Sequence, residues 1–240
     1  MQQSAQLQPG YILHQRPYRD TSLLLEVFTR DHGRLGLVAR GARGPRARSR
    51  GLLQPFQPLL LSWSGRGELG TLAGVEAAGP ARRLPGAVLY SGFYLNELLL
   101  RLLQRLDPHP ELHEAYGRAL AALPDATERA LRLFEKALLE ELGYGLLLDH
   151  EAHSGASVEA DAWYAYELES GPVRAAEHSP ARLVLAGSSL LSLAAGELHD
   201  AQSLADAKRL MRAALGLYLG ERELKTREVF AAINTTGARD

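Results

Sequence analysis

Apolar and polar positions alternate along residues 8–78 at the spacing of β-strands. In the stretch TSLLLEVFT, Leu23, Leu25 and Val27 share one face of a strand, and the residues between them share the other. Turn-forming residues follow at 30–33, and RLGLVAR has the pattern of the partner strand. The stretches PLLLSWSG and ELGTLAGVEA predict a second hairpin across residues 65–67. Five short strands within about seventy residues predict a small antiparallel barrel that is closed or nearly closed.

The pattern changes to helical spacing after Pro85. The stretch GAVLYSGFYLNELLLRLLQRLD is apolar over most of its circumference, which predicts a buried central helix. A helix over 204–219 is expected to be capped by Ser203 and Asp206. Segment 150–182 is less regular, and WYAYELESGPV within it predicts a strand or a hairpin. Further helices are expected near 109–123, from Asp125 to Gly143, near 188–195 and near 226–233.

This order of elements predicts an α+β fold in which the strands come first and the helices follow. We expect a five-stranded barrel domain in residues 1–80. A mostly helical domain would occupy residues 81–240, with a small irregular or β insertion around 150–182.

Charge is distributed unevenly between these two parts. Residues 1–85 contain 12 arginines and no lysine against five acidic residues, whereas residues 86–240 contain 15 basic and 23 acidic side chains. A basic N-terminal part is typical of a domain that faces polyanions. The alternative is chance combined with a general preference for arginine, since the whole chain has only three lysines.

The positive charge is concentrated in VARGARGPRARSRG, residues 38–51, which lies between the third and fourth predicted strands. Arginine presents a planar fork of donors, stays charged and stacks on bases, so it suits phosphate backbones and single strands. A glycine-rich loop of arginines follows a flexible polyanion without a fixed register. A solvated surface loop without function is the alternative. The arginines assigned to nucleic-acid contact are Arg40, Arg43, Arg46, Arg48 and Arg50.

Two further arginines extend this track in the same interpretation. Arg16 and Arg19 flank Pro17 and Tyr18 in a predicted turn. Tyr18 is either a ring on which a base stacks or an ordinary, partly buried turn tyrosine.

Two other motifs match known binding patterns only in part. GRGELG fits the spacing of a dinucleotide-binding loop, but it lies between two strands and lacks the helix whose N-terminus receives the pyrophosphate. His109 and His113, and likewise His150 and His153, have spacings that place both members on one helical face. A structural zinc site requires four ligands, usually with thiolates, and the chain has no cysteine. We therefore expect a hairpin turn, solvent-exposed histidines, and neither metal nor cofactor.

Catalytic chemistry is not indicated. Ser188 and Ser189 lack the glycine that a nucleophile elbow needs two residues later. Glu135, Glu140 and Glu141 have the spacing of a solvated helix face. We expect a protein that is not an enzyme.

A basic stripe lies beside an apolar stripe on the helix that starts near residue 125. Arg129, Arg132 and Lys136 form the basic stripe, and Phe134 belongs to the apolar one. A basic edge next to an apolar groove accepts an acidic, hydrophobic peptide tail. A plain amphipathic helix is the alternative.

The chain shows no targeting signal. The N-terminal MQQSAQLQPG has neither the basic nor the apolar region of a signal peptide, and no uncharged apolar run approaches the length of a membrane span. The lack of cysteine is consistent with a reducing compartment. We expect a cytoplasmic protein.

Several independent blocks of the sequence together resemble the RecO family of DNA repair proteins. The blocks cover nearly the whole chain. They are YILHQRPYRDTSLLLEVFTRDHGRLGLVARGAR, LQPFQPLLLSWSGRGELGTL, FYLNELLLRLL, FEKALLEELGYGLLLDH and AKRLMRAALGLYLGERELKTREVF.

The resemblance implies an OB-type barrel followed by a mostly helical domain. It also implies a mediator of recombination that acts without chemistry. Such a protein binds single- and double-stranded DNA, anneals complementary strands and works with RecR to place RecA on DNA coated by single-strand-binding protein. Many members carry zinc-binding cysteines in the C-terminal half, and the matching region here has His150 and His153 but no cysteine.

The resemblance also implies roles for particular residues. The arginine loop would be part of the DNA path, and Arg132 beside Phe134 would belong to the groove that accepts the acidic tail of single-strand-binding protein. Two other functions remain open: an RNA-binding OB-fold protein of ribosome or tRNA metabolism, and a protein-only adaptor whose arginine loop meets an acidic partner.

Overall fold

The chain is described by a computed structural model that covers residues 2–44, 51–66, 68–180, 183–220 and 224–226, with the backbone only at 2–4 and 66. It divides into two compact units. The first comprises residues 1–124 together with 224–240, and the second comprises residues 125–223.

The first unit contains the predicted barrel. Its strands are β1 (Gln2–Tyr18), β2 (Ser22–Thr29), β3 (Gly33–Ala39), β4 (Leu59–Arg66) and β5 (Leu69–Ala77). They form a closed barrel in the order β1-β2-β3-β5-β4. The expectation of a purely antiparallel barrel is wrong at one position, because β3 and β5 run parallel. A domain boundary between residues 80 and 81 stays a prediction.

The alternation predicted for β2 is confirmed. Leu25 and Val27 are fully buried in the barrel core, and Leu23 packs against its edge. Phe28 on the opposite face is also fully buried, because the ring of His113 lies 5.4 Å from its ring. The C-terminal end of β2 is therefore covered on both faces. The other large core side chains are Ile12, Leu35, Leu37, Leu53, Leu59, Leu61 and Trp63.

Helix α1 (Val88–Leu102) lies against the barrel. Asn96 donates a 2.8 Å hydrogen bond to the carbonyl oxygen of Leu13 and accepts a 2.5 Å hydrogen bond from the hydroxyl of Tyr116. A buried polar side chain with partners on both sides fixes the position of the helix, since leaving either group unpaired would be costly. The predicted buried central helix is confirmed.

Helix α2 (Pro110–Glu141) consists of two segments. Ala126, with φ −145° and ψ 56°, interrupts it two residues after Pro124, which has no N–H to donate. The two helices expected at 109–123 and from Asp125 are therefore present, separated at this residue.

The exposed positions expected for His109 and His113 are wrong, since each is only 8% exposed. The ring of His113 packs against Tyr11 at 5.1 Å and against Phe28. Burial, and then the nearby cation of Arg30, lower the pKa of His113 to about 4. His109 precedes the first residue of α2, and helical spacing does not show that the face carrying His113 packs on a barrel.

The second unit holds the remaining strands and helices. Strands β6 (Trp163–Glu167) and β7 (Gly171–Ala175) form the predicted hairpin, and β8 (Val184–Ala186) pairs with the other edge of β6. Helices α3 (Gly187–Ala195) and α4 (Ala201–Leu219) follow.

Two local predictions in this unit are wrong. Asp200, not Ser203 or Asp206, caps α4, and its carboxylate accepts from the backbone N–H of Ser203 at 2.8 Å. Asp206 is buried and accepts from the side chain of Arg209 at 3.1 Å. Glu135 does not lie on a solvated face. It is 1% exposed and pairs with Arg132 at 2.9 Å.

The described helices include none with both the length and the apolar composition that a membrane span requires. Of the helix predicted at 226–233, residue 226 is helical together with residue 225. The rest of that segment lies outside the described residues.

Candidate nucleic-acid interface

A cleft of about 410 Å³ opens on the barrel where three segments meet. They are the β1–β2 turn, the end of β3 and the start of β5. The cleft is lined by Tyr18, Arg19, Thr21, Ser22, Val38, Arg40, Gly41, Leu69, Gly70 and Thr71.

Strand pairing brings these segments together. Strand β2 runs antiparallel to β3, with Leu24 opposite Val38, and β3 runs parallel to β5, with Val38 opposite Thr71. The end of β3 therefore has the start of β2 on one side and the start of β5 on the other. In OB-type barrels, the face of strands 2 and 3 and the loops beside it are the usual site of oligonucleotide binding.

Arg19 and Arg40 are exposed cations at this cleft. The guanidinium carbon of Arg19 lies 5.2 Å from the centre of the Tyr18 ring, within the range of a cation–π contact. Arg16 is also exposed, and it shares a face of β1 with Tyr18 because the two are separated by one residue. Three of the predicted arginines thus lie along the cleft and its β1 edge.

Loop residues 40–44 fold back onto the β1–β2 turn. The backbone N–H of Arg43 donates to the carbonyl oxygen of Thr21 at 2.8 Å. The Arg43 guanidinium donates to the carbonyl oxygens of Arg19 and Asp20 at 3.4 and 3.5 Å. Ala42, the preceding residue, is buried in the barrel core. Arg43 therefore donates part of its hydrogen bonds to the backbone of the protein, whereas no side-chain hydrogen bond joins Arg40 to another described residue.

The remaining arginines of the predicted cluster, Arg46, Arg48 and Arg50, lie outside the described residues. The described chain resumes at Gly51, and Leu53 is buried in the same barrel core as Ala42. The described chain on both sides of residues 45–50 is therefore anchored in the barrel core.

The electrostatics of the cleft favour anions. Among its described lining residues there is no carboxylate, and neither Arg19 nor Arg40 forms an ion pair with a described residue. An unpaired guanidinium fork is free to contact phosphate oxygens with two N–H groups at once.

A neighbouring group of arginines on the barrel is different, because carboxylates neutralise it. Glu26 pairs with Arg34 at 3.3 Å and with Arg105 at 2.6 Å, and Glu68 pairs with Arg105 at 3.4 Å. Burial, and then the charge of Arg105, lower the pKa of Arg34. Arg34 also donates to the carbonyl oxygen of Leu103. These contacts connect the chain after α1 to β3. They also neutralise most of the positive charge that an anionic ligand could bind.

The residues assigned to partner binding lie on the second segment of α2. Arg132 and Phe134 are buried, at 6% and 1% exposure. Arg129 donates to the carbonyl oxygen of Gly196 at 2.8 Å, and Lys136 pairs with the more exposed Glu140 at 2.9 Å. The structure thus presents Arg129 and Lys136 at the partly exposed edge of the stripe, whereas Arg132 is neutralised by Glu135.

His150 and His153 are exposed, as predicted, and each lies near one carboxylate. Within the described ranges, no group of three or more histidine, aspartate or glutamate side chains has the arrangement of a metal site. The residues present therefore do not fit the zinc site of many family members.

Sequence reasoning missed the contribution of β5 to the cleft. Leu69 is 48% exposed, and Thr71 lies opposite Val38. Local patterns do not reveal a parallel pairing between distant segments. The strand order of an OB-type barrel, which the resemblance implied, could have predicted that β5 lies beside β3.

Two family models match the chain. "Recombination protein O N terminal" matches residues 1–81, which include the whole cleft, and "Recombination protein O C terminal" matches residues 86–228.

Curated relatives agree with these matches over nearly the full length. A protein of Nitrosococcus oceani is 51% identical over 233 residues, which are 96% of this chain and 95% of the relative. A protein of Alkalilimnicola ehrlichii is 54% identical over 96% of this chain and 92% of its own. One of Dechloromonas aromatica is 47% identical over 93% and 94%. Each is named "DNA repair protein RecO".

Proposed function

The chain belongs to the RecO family of DNA repair proteins, and from this premise we propose that it is a non-enzymatic mediator of homologous recombination in the cytoplasm. In this role it binds single- and double-stranded DNA and anneals complementary strands. With RecR, it helps to load RecA onto DNA coated by single-strand-binding protein.

The observation that supports DNA binding most directly is the unpaired charge at the barrel cleft. Arg19 and Arg40 line it without a described carboxylate, and the arginine loop starts at its edge. Phosphate contacts of this kind give affinity with little sequence preference. Tyr18 adds a ring on which a base can stack.

Annealing follows from the same arrangement. Two complementary strands repel each other through their phosphates, and a group of guanidinium cations lowers that repulsion while leaving the bases unread. The strands are then free to pair with each other.

The test of DNA binding is a salt titration with an unstructured single strand. A variant with Arg40, Arg43, Arg46, Arg48 and Arg50 replaced by alanine is compared with wild type and with a control of equal charge. The control replaces five exposed arginines that are not among the lining residues of the cleft, namely Arg82, Arg83, Arg118, Arg174 and Arg212.

The slope of log affinity against log salt is expected to become shallower by up to about 3.5 in the loop variant, at roughly 0.7 for each arginine that makes a full phosphate contact. Arg43 should account for the smallest share, because its guanidinium also donates to backbone carbonyls. The control should keep the wild-type slope. A loop variant that retains the wild-type slope would contradict the proposal and favour the adaptor function. A marked preference for RNA over DNA of the same sequence would favour the RNA-binding alternative, because RNA readers use the 2′-hydroxyl.

Recruitment of single-strand-binding protein is the second part of the proposal. Its acidic C-terminal tail would dock along the basic stripe of α2, where Arg129 and Lys136 are partly exposed and Arg132, paired with Glu135, supports the groove from inside beside Phe134. Lys136→Glu is expected to weaken binding of a labelled tail peptide by about fivefold or more, because it replaces attraction by repulsion. Unchanged affinity in both Lys136→Glu and Arg129→Gln would remove this assignment.

A further inference from the structure

The second unit has a groove of about 260 Å³ that neither DNA binding nor the basic stripe of α2 uses. Three segments of residues 125–223 form it: the chain after α2 at 143–147, the β6–β7 turn at 168–171, and the end of α4. We call it the tyrosine groove after Tyr144 and Tyr218, which line it.

The tyrosine groove exposes an unusual amount of apolar surface. Of the six large apolar side chains that are exposed among the described residues, three line this groove: Tyr144 at 45%, Leu147 at 36% and Leu217 at 48%. Single exposed apolar residues are ordinary, but a cluster of them marks an interaction surface.

The aromatic part of the groove is already ordered. The rings of Tyr144 and Tyr218 are stacked, with centroids 3.9 Å apart and planes inclined by 17°. Below them, the buried Tyr166 donates a 3.0 Å hydrogen bond to the carbonyl oxygen of Leu147 and holds that segment. A surface that is rigid before binding loses less entropy when a partner arrives.

The charge of the groove selects the kind of partner. Among the described lining residues, the one charged side chain is that of Glu169, and no described cation forms an ion pair with it. Burial raises the pKa of the Tyr218 hydroxyl, with further contributions from the charge of Glu169 and from Tyr144. Glu169 and the two stacked rings line the same groove, so the carboxylate and the rings can act together on one bound group.

We propose that the tyrosine groove docks a peptide segment of a partner protein that inserts an arginine or lysine side chain between Glu169 and the tyrosine rings. Ring faces and a carboxylate both attract a cation, and Leu147 and Leu217 offer apolar surface to its aliphatic neighbours. The same carboxylate repels phosphates, so a nucleic acid is a poor occupant.

The test uses the full chain and a pair of probe peptides. One is acetylated GSLLRLLSG, and the other carries citrulline, which has nearly the same shape without the charge, in place of arginine. Further pairs with isoleucine or phenylalanine flanks extend the panel. Binding is measured by NMR or calorimetry up to about 1 mM peptide. Glu169→Gln removes the carboxylate, and Glu177→Gln is the matched control, since Glu177 is exposed in the same unit.

Wild type and Glu177→Gln are expected to bind the arginine peptides about fivefold more tightly than the citrulline peptides. Glu169→Gln should remove this difference, and Tyr144→Ala should weaken binding of both peptides. Equal binding of the two peptide types by wild type, or no binding by the panel, would overturn the proposal. So would a concentration-dependent dimer that Leu217→Ser dissociates, or an oligonucleotide affinity that falls in Tyr144→Ala.

Discussion

The backbone N–H of Arg43 donates a 2.8 Å hydrogen bond to the carbonyl oxygen of Thr21, and this contact joins the start of the arginine loop to the β1–β2 turn. The guanidinium of Arg43 points to the same turn and donates to two of its carbonyl oxygens. Two arginines of the same loop therefore make different contacts. Arg43 holds the loop, whereas Arg40 is exposed at the cleft.

This difference predicts unequal effects of two similar substitutions. Arg40→Ala is expected to reduce the steepness of the salt dependence of DNA binding by about 0.7, the value for one phosphate contact on a single strand. Arg43→Ala should reduce it by less, because that guanidinium is partly engaged by backbone carbonyls. Fluorescence anisotropy at several salt concentrations measures both slopes. Arg118→Ala, a 72% exposed arginine on α2, is the control that should leave the slope unchanged. Equal losses in both loop variants would contradict the division of tasks.

Arg19 predicts a conflict between stability and binding. Its φ of 51° lies in the left-handed region, which costs a residue with a Cβ about 1 kcal/mol relative to glycine. The free energy of unfolding of Arg19→Gly, measured by chemical denaturation, is therefore expected to exceed that of Arg19→Ala by about 1 kcal/mol. Both variants should bind DNA equally weakly, since both lose the cation. If the glycine variant is no more stable than the alanine variant, the backbone at this turn is not strained.

The sequence predicts the parts of the barrel that depend on local pattern. Alternation placed Leu25 and Val27 in the core, and the glycine-rich stretch around residue 66 predicted the hairpin of β4 and β5, in which Arg66 pairs with Leu69. The turn positions of Arg40 and Arg43 followed from the glycine and proline content of the segment. These features depend on neighbours along the chain, whose properties can be read directly.

The features that the sequence did not predict depend on contacts between distant segments. Burial of His113 requires the barrel face that carries Tyr11 and Phe28, and burial of Glu135 depends on its pairing with Arg132. Helical spacing gives the relative direction of such side chains but not what lies in that direction. The same limit hid Thr71, which reaches the cleft through the parallel pairing of β3 and β5.

Two glycines with the same backbone conformation are predicted to differ sharply in tolerance. Gly33 and Gly41 have φ values of 65° and 67°. A Cβ on Gly33 would lie 2.0 Å from the carbonyl oxygen of Asp107, whereas a Cβ on Gly41 meets no atom of the described residues within 4 Å. Gly41→Ala should cost about 1 kcal/mol from backbone strain alone.

Gly33→Ala should cost at least about 2 kcal/mol more than Gly41→Ala, because the chain at Asp107 must move away from β3. Chemical denaturation of both variants measures the difference. Similar stabilities would show that the segment after α1 shifts freely, against the close packing described for it.

The position of Lys225 and Thr226 is predicted to depend on the carboxylate of Glu97. Glu97 on α1 accepts hydrogen bonds from the backbone N–H groups of Lys225 and Thr226, both at 3.0 Å. Burial acts to raise the pKa of Glu97, but these hydrogen bonds and the charge of Arg101 outweigh it and lower the pKa. Glu97→Gln should speed hydrogen exchange at the amides of Lys225 and Thr226. Glu114→Gln, an exposed glutamate on α2, should not. Unchanged exchange would exclude Glu97 as the anchor.

His113 predicts a specific dependence of stability on pH. Its folded-state pKa is lowered from 6.5 to about 4, so the folded protein favours the neutral ring. Between these values the unfolded chain binds a proton that the folded chain does not. Stability is therefore full above pH 6.5 and falls as the pH is lowered towards 4, by at most about 3 kcal/mol. His113→Phe keeps an aromatic ring against Tyr11 and Phe28. It should remove the part of the fall in unfolding free energy that is due to His113. His109 is present in both proteins and serves as an internal control. Denaturation at a series of pH values gives the two curves, and an NMR titration of the His113 ring gives the pKa directly. Parallel curves, or a ring that titrates near 6.5, would show that water reaches the space between the barrel and α2.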